Sequence, residues 1–297
     1  MKLTTALFLV ILSLPVFAQS QTEWINANIF FALQTRALVR QVAYLTPADF
    51  NKFKAEKIKS LEEIAGVAEK DDYANFDTSL TGIERIYYKS IIEFNENGSP
   101  VRFVFDSEDD FELTFSYDAT GLMSGATLHA KNNSYNTEWK QQFIFTIDGG
   151  KVSIINSKNM GTVPDWLPAV TFEFHYRKDG SLETLSDPNH PTSFGFDEKN
   201  RLTKLNLAPS EYTWSYTQDG KIALITELSM HEEAFTTKFE YDKNGALISA
   251  FRGDSNMSTT FDYRNGPDGL PLTAREVFLM SGYIEDVTNY TYSYTKW

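Results

Sequence analysis

The stretch Phe239-Glu240-Tyr241-Asp242-Lys243-Asn244-Gly245-Ala246-Leu247 decides how the chain is built. Phe239 and Tyr241 stand two apart, so on a strand they share one face of a sheet. Gly245 follows four residues later, where a tight hairpin needs the left-handed backbone that Gly, and next best Asn, adopts. Leu247 then opens a return strand. These nine residues spell one β-hairpin.

The unit recurs along the chain. Gly98, Gly121, Gly149, Gly180, Asn200, Gly220 and Gly245 serve as turn anchors. Four residues before each stands an aromatic: Phe94, Tyr117, Phe145, Tyr176, Phe196, Tyr216 and Tyr241. Six before stand Ile92, Phe115, Phe143, Phe174, Phe194, Trp214 and Phe239, against a background of 14% aromatic residues. Met123, Leu182, Leu202, Ile222 and Leu247 begin the return strands, whereas Pro100 and Lys151 break that position. Phe261 and Tyr263 with Pro267-Asp268-Gly269 form an eighth unit carrying an insertion, and Tyr290, Tyr292 and Tyr294 mark a closing strand. The expected fold is therefore mainly β: an antiparallel meander of repeated hairpins over 81–297, curled or barrel-like.

Three units carry a likeness to a known family: Phe115-Ser-Tyr117-Asp118-Ala-Thr-Gly121, Phe194-Gly-Phe196-Asp197-Glu-Lys-Asn200-Arg201-Leu202, and Phe239-Glu-Tyr241-Asp242-Lys-Asn-Gly245-Ala-Leu247. Over about residues 90–270 the chain resembles the YD-repeat modules of RHS-type proteins. It also looks like small exported bacterial β-sheet proteins of unknown function with degenerate units. The resemblance implies hairpins joined into one long antiparallel sheet. Encapsulation is not carried over, because the units are few and irregularly spaced and no toxin-like end is recognisable.

Residues 1–18 read differently. Met1-Lys2 is a positive start, Leu3 to Phe17 is largely apolar, and Val16-Phe17-Ala18 offers small residues before a cut at Gln19. This is the three-part pattern of a signal peptide, so the protein is expected in the periplasm or outside the cell. Residues 19–80 form a separate, largely helical segment ending in a linker. Ile25, Ile29, Leu33, Leu38 and Val42 suggest a helix over about 23–44. Thr46-Pro47-Ala48-Asp49 followed by Phe50, Phe53, Leu61 and Ile64 suggests another over 47–69.

Composition narrows the function. The chain has 297 residues with 27 basic and 40 acidic side chains, a net charge of −13 and no cysteine. An acidic surface argues against a nucleic-acid partner, and the missing thiols exclude disulfides and cysteine chemistry. No later run is long enough for a transmembrane helix. An outer-membrane β-barrel stays open as an alternative. Against it, the unit from Gly180 to Asn200 leaves about six residues per strand, while a tilted membrane strand needs about 9–11.

No catalytic motif stands out, and no cofactor is implied. His129, His175, His190 and His231 are scattered. The acidic run Asp106-Ser-Glu108-Asp109-Asp110-Phe-Glu112 has carboxylates that could meet a calcium ion, but a solvated loop explains it as well. Glu62-Glu63, Glu232-Glu233 and Asp254 are the acids that a carbohydrate-active enzyme would draw upon. Adjacent acids do not face one cleft. Trp139, Trp166 and Trp214 are the candidates for a binding surface toward a protein or glycan partner, with core packing at sheet periodicity as the alternative, which fits Trp166 least. The expected role is a non-catalytic binding or scaffold protein.

Overall fold

The computed structural model describes residues 22, 25–30, 32–34, 52–68, 83–107, 109–133, 137–161, 169–188, 192–207, 210–229, 234–253 and 257–297. Eighteen strands run in chain order: β1 (Ile58–Ala68), β2 (Ile83–Phe94), β3 (Pro100–Asp106), β4 (Asp109–Tyr117), β5 (Met123–Asn132), β6 (Thr137–Asp148), β7 (Lys151–Met160), β8 (Thr171–Tyr176) and β9 (Leu182–Asp187) make the first half. The second half is β10 (Thr192–Phe196), β11 (Leu202–Leu207), β12 (Ser210–Tyr216), β13 (Ile222–Ser229), β14 (Phe235–Tyr241), β15 (Leu247–Gly253), β16 (Met257–Asn265), β17 (Pro271–Met280) and β18 (Tyr283–Lys296).

Each strand pairs antiparallel with its neighbours in sequence, and β1 pairs with both β2 and β18. The sheet is thus a closed up-and-down barrel with no free edge. Leu61 lies opposite Tyr294 on one side and Ile92 on the other.

The turn anchors behave as the repeat demands. Gly98, Gly121, Gly180, Gly220, Gly245 and Gly269 have φ between 71° and 90°, and Asn200 stands at 57°. In most units the anchor closes a three-residue loop: Gly245 N donates to Asp242 O, and Asp242 N to Ala246 O. A register shift follows, between Glu240 and Tyr241 in that unit, which is the bulge such a turn produces. Gly149-Gly150 is different, a two-residue loop with Asp148 opposite Lys151. That shorter loop explains why Lys151 breaks the pattern and Val152 takes the buried place.

The residues six before each anchor, Ile92 through Phe239, are all buried. Those four before carry a second device. The hydroxyl of Tyr176 donates to Val152 O (2.7 Å), that of Tyr216 to Leu202 O (2.5 Å), and that of Tyr241 to Ile222 O (2.8 Å). Each ties its hairpin to the first residues of the previous return strand. Where the repeat has Phe196 instead, Arg177 donates to Leu182 O (2.6 Å) and fills the missing role.

Inside the barrel lies α1, residues 25–30 and 32–34. Ile25, Asn26, Asn28, Ile29, Phe30, Leu33 and Gln34 are all buried. A helix covered on every side is an interior element. Phe30 packs edge-on against Phe103 at 5.8 Å and against Phe115 at 5.6 Å. Asn26 bonds to both Gly121 O and Met123 N, and Asn28 Nδ2 donates to Asn200 O (3.0 Å), so buried amides meet the hairpin backbone.

One expectation is corrected. Among the described residues of the helix expected over 47–69, only a turn, α2, at residues 52–55 is helical, and β1 follows it. The apolar spacing of Ile58, Leu61, Ala65 and Ala68 imitates a helix because β1 carries irregularities at Ile58/Ser60 and at its pairing with β2. Partners on both edges decide the outcome. The helix over 23–44 is present where α1 is described, and the signal peptide and the linker lie outside the described residues. The estimate of about six residues per strand holds for the unit it was drawn from and its neighbours, β8 to β12 with 5–7 residues, whereas β4 to β7 have 9–12 and β18 has 14.

Candidate functional site

Inward-facing residues fall into two levels. Near the turns they are the aromatics just described. Four to six residues above them the inner wall turns polar. Glu63 lies between Tyr292 and Ser90, on the face of the buried Leu61 and Ala65. Tyr88 donates to Glu63 Oε1 at 2.8 Å, and the Tyr292 hydroxyl also bonds to that carboxylate. Next along the wall, Tyr290 donates to Glu276. Then Arg252 Nη2 pairs with Glu227 Oε2 (2.5 Å), and Tyr212 donates to Glu227 Oε1 (2.9 Å). Side chains of β12, β13, β15, β17, β18, β1 and β2 thereby make up a polar belt.

Its electrostatics follow from burial. Loss of water raises the Glu63 carboxyl above the usual range, although the Tyr88 and Tyr292 hydroxyls pull it down. Glu276 is raised for the same reason, with Asp286 adding to the rise and Tyr290 and Arg252 opposing it. The phenols of Tyr290 and Tyr292 are pushed well up by burial and by the neighbouring carboxylates. The belt offers hydroxyl donors, carboxylate acceptors and one guanidinium, which suits a small polar ligand. Among the described residues no group of three or more His, Asp or Glu side chains could hold a metal ion.

The anticipated binding tryptophans do not form this site. Trp139 and Trp214 are 3% and 7% exposed and face the core, because each stands in the aromatic phase of its strand. This corrects their reading as a surface, and Trp166 lies outside the described residues. Glu62 and Glu63 point to opposite faces, as strand alternation requires: Glu62 pairs outward with Lys89 at 2.6 Å. Glu232, Glu233, Asp254, His190 and His231 lie outside the described residues. His129 meets Glu138, and His175 stands 3.9 Å from Glu173 on the outer face. In the acidic run, Asn133 donates to Asp110 (2.9 Å), and Asp106 is raised by burial and by Asp110.

No family model matches the chain. Heat-inducible transcription repressor HrcA from Staphylococcus aureus strains Newman and USA300 is 23% identical over 152 residues, 51% of this chain and 43% of the repressor. The match thus spans less than half of that protein. Among solved structures, a porin-like protein from Bacteroides uniformis aligns over 81% of this chain and 97% of its own, with a TM-score of 0.41 and 12% identity. A porin-like protein from Bacteroides vulgatus aligns over 81% and 99%, at 0.34 and 12%. The Photorhabdus luminescens Tc holotoxin pore aligns over 66% of this chain and 14% of its own, at 0.24 and 9%. Likenesses this distant decide nothing about this chain.

Proposed function

We propose that the chain is an exported, non-catalytic binding or scaffold barrel whose outer wall faces water and whose ligand is unassigned. The observation that supports it is the charge on the outward faces of the strands. Arg102 bridges Glu93 at 3.1 Å and Glu112 at 2.7 Å across β2, β3 and β4. Lys89–Glu62 (2.6 Å) and Lys204–Glu211 (2.7 Å) repeat the pattern, and Lys140, Lys238 and Glu240 stand exposed beside the inward-facing Trp139 and Phe239. A lipid-facing wall does not tolerate this: one Arg or Lys near the bilayer midplane costs about 2–4 kcal/mol.

The second reading, an outer-membrane porin-like barrel, is favoured by the closed ring and by its taller strands, which reach the length a membrane crossing needs. Fractionation of the host separates the two. A water-facing barrel leaves the envelope without detergent and stays monodisperse. Retention in membranes through carbonate washing would favour the second reading instead. We further propose that the hairpins are degenerate YD repeats. Asp118, Asp197 and Asp242 support this, each accepting two backbone N–H groups of its own turn.

A further inference from the structure

A closed barrel has one joint where the chain's first strand must find its last. Here β1 fills that joint, and most cross-strand ties to it are backbone bonds. One side chain does more. Glu63, at the middle of β1, accepts from Tyr88 on β2 and bonds to Tyr292 on β18, so a single carboxylate joins the first strand to both neighbours. The adjacent pair Tyr290–Glu276 stitches β18 to β17 in the same way.

We propose that Glu63 is the latch of the ring, and that its protonation state sets how firmly β1 stays seated between β2 and β18. The groups facing it are Tyr88 and Ser90 from β2 and Tyr290 and Tyr292 from β18, with Tyr263 of β16 acting on Tyr292 and Glu276 of β17 acting on Tyr290. Among the described residues no cation pairs with Glu63. Lys89, across the wall, is bonded to Glu62, and Arg252 serves Glu227. The carboxylate is therefore held by phenol hydroxyls, which favour its charged form but do not outweigh the cost of its burial.

The sign follows from its raised folded-state pKa. Stability from a raised carboxyl is fully present below its unfolded value and lost as pH rises through the folded one. The latch loosens on deprotonation and tightens in acid. When β1 lifts, Glu63 regains water and its charge ceases to be penalised.

Hydrogen exchange of the full-length protein at pH 5 and pH 8 tests this. Amides of Leu61 to Ile64, corrected for intrinsic exchange, are read against those of β10 and β11 in the same molecules. The ratio of opening is expected to rise about threefold or more at pH 8. In Glu63→Gln, whose amide oxygen still accepts from Tyr88, the rise disappears; in the outward control Glu62→Gln it remains. A ratio that is unchanged in the wild-type protein overturns the proposal, even if the variant does not fold. So does a rise that persists in Glu63→Gln.

Discussion

At a hairpin turn such as that of Asp242, the carboxylate lies in water and accepts the N–H groups of Asn244 and Ala246, at 2.8 Å each. At the seam, Glu63 is enclosed by tyrosines on the inner wall. Both acids hold the chain in place, yet burial and hydrogen bonding move them in opposite directions. Asp118, Asp179 and Asp242 are lowered mainly by hydrogen bonds from their own turns, whereas Glu63 and Glu276 are raised by loss of water. The turns are local devices, complete within a few residues. The seam is a long-range device, assembled only when the two ends of the barrel meet.

Glycine substitutions give the largest separation between these regions. A Cβ on Gly66 in β1 would stand 2.3 Å from Arg85 O of β2 and 2.4 Å from an Ile83 methyl. Gly66→Ala is expected to destabilise by about 3 kcal/mol in urea titration, because the seam backbone has to move. A Cβ on Gly121 meets nothing within 4 Å, and only its φ of 81° resists. Gly121→Ala should therefore cost only about 1–2 kcal/mol. Equal losses at the two sites would erase the distinction between a tight seam and an open turn.

A smaller effect concerns the hydroxyls that tie hairpin to hairpin. Tyr241→Phe removes the bond to Ile222 O and should cost about 1 kcal/mol by the same titration. Phe196 is already a natural version of that change, with Arg177 in the hydroxyl's place. Arg177→Met is accordingly expected to weaken its hairpin at least as much as Tyr241→Phe weakens its own.

The smallest effect is in acid. A carboxyl lowered in the folded state lends stability that is present above its unfolded value and lost as pH falls through the folded one. Turn amides such as Asn244 and Ala246 should exchange faster, after intrinsic correction, as pH falls below about 4, the ordinary Asp value. Seam amides should move the other way between pH 8 and pH 5. Parallel behaviour in both regions would remove the contrast.

The same division explains what was legible in the sequence. Turn anchors, inward aromatics and the all-β architecture could be read because each unit spans only a few residues. The closed ring was not, since a meander of hairpins fits an open sheet equally until β1 meets β18. β1 was mistaken for helix: its buried residues fall at helical spacing, and only Gly66, unwelcome in a helix interior, pointed elsewhere. In the sequence Glu63 is only half of a carboxylate pair, because its partners Tyr88 and Tyr292 belong to strands that flank β1 only when the barrel closes. Trp139 and Trp214 share the phase of the neighbouring aromatics, and that phase, rather than their residue type, decides that they face inward.

The absence of cysteine permits a direct test of the closed, water-facing ring. Ser60 on β1 and Thr295 on β18 are cross-strand partners on an exposed edge of the seam, with their hydroxyl oxygens 2.6 Å apart. The double variant Ser60→Cys and Thr295→Cys, purified without detergent and oxidised in air, is expected to form one intramolecular disulfide. Peptide mass mapping would find residues 60 and 295 linked in a monodisperse protein. Thiols that stay free in a folded chain, or a disulfide that forms only in detergent, would contradict the account.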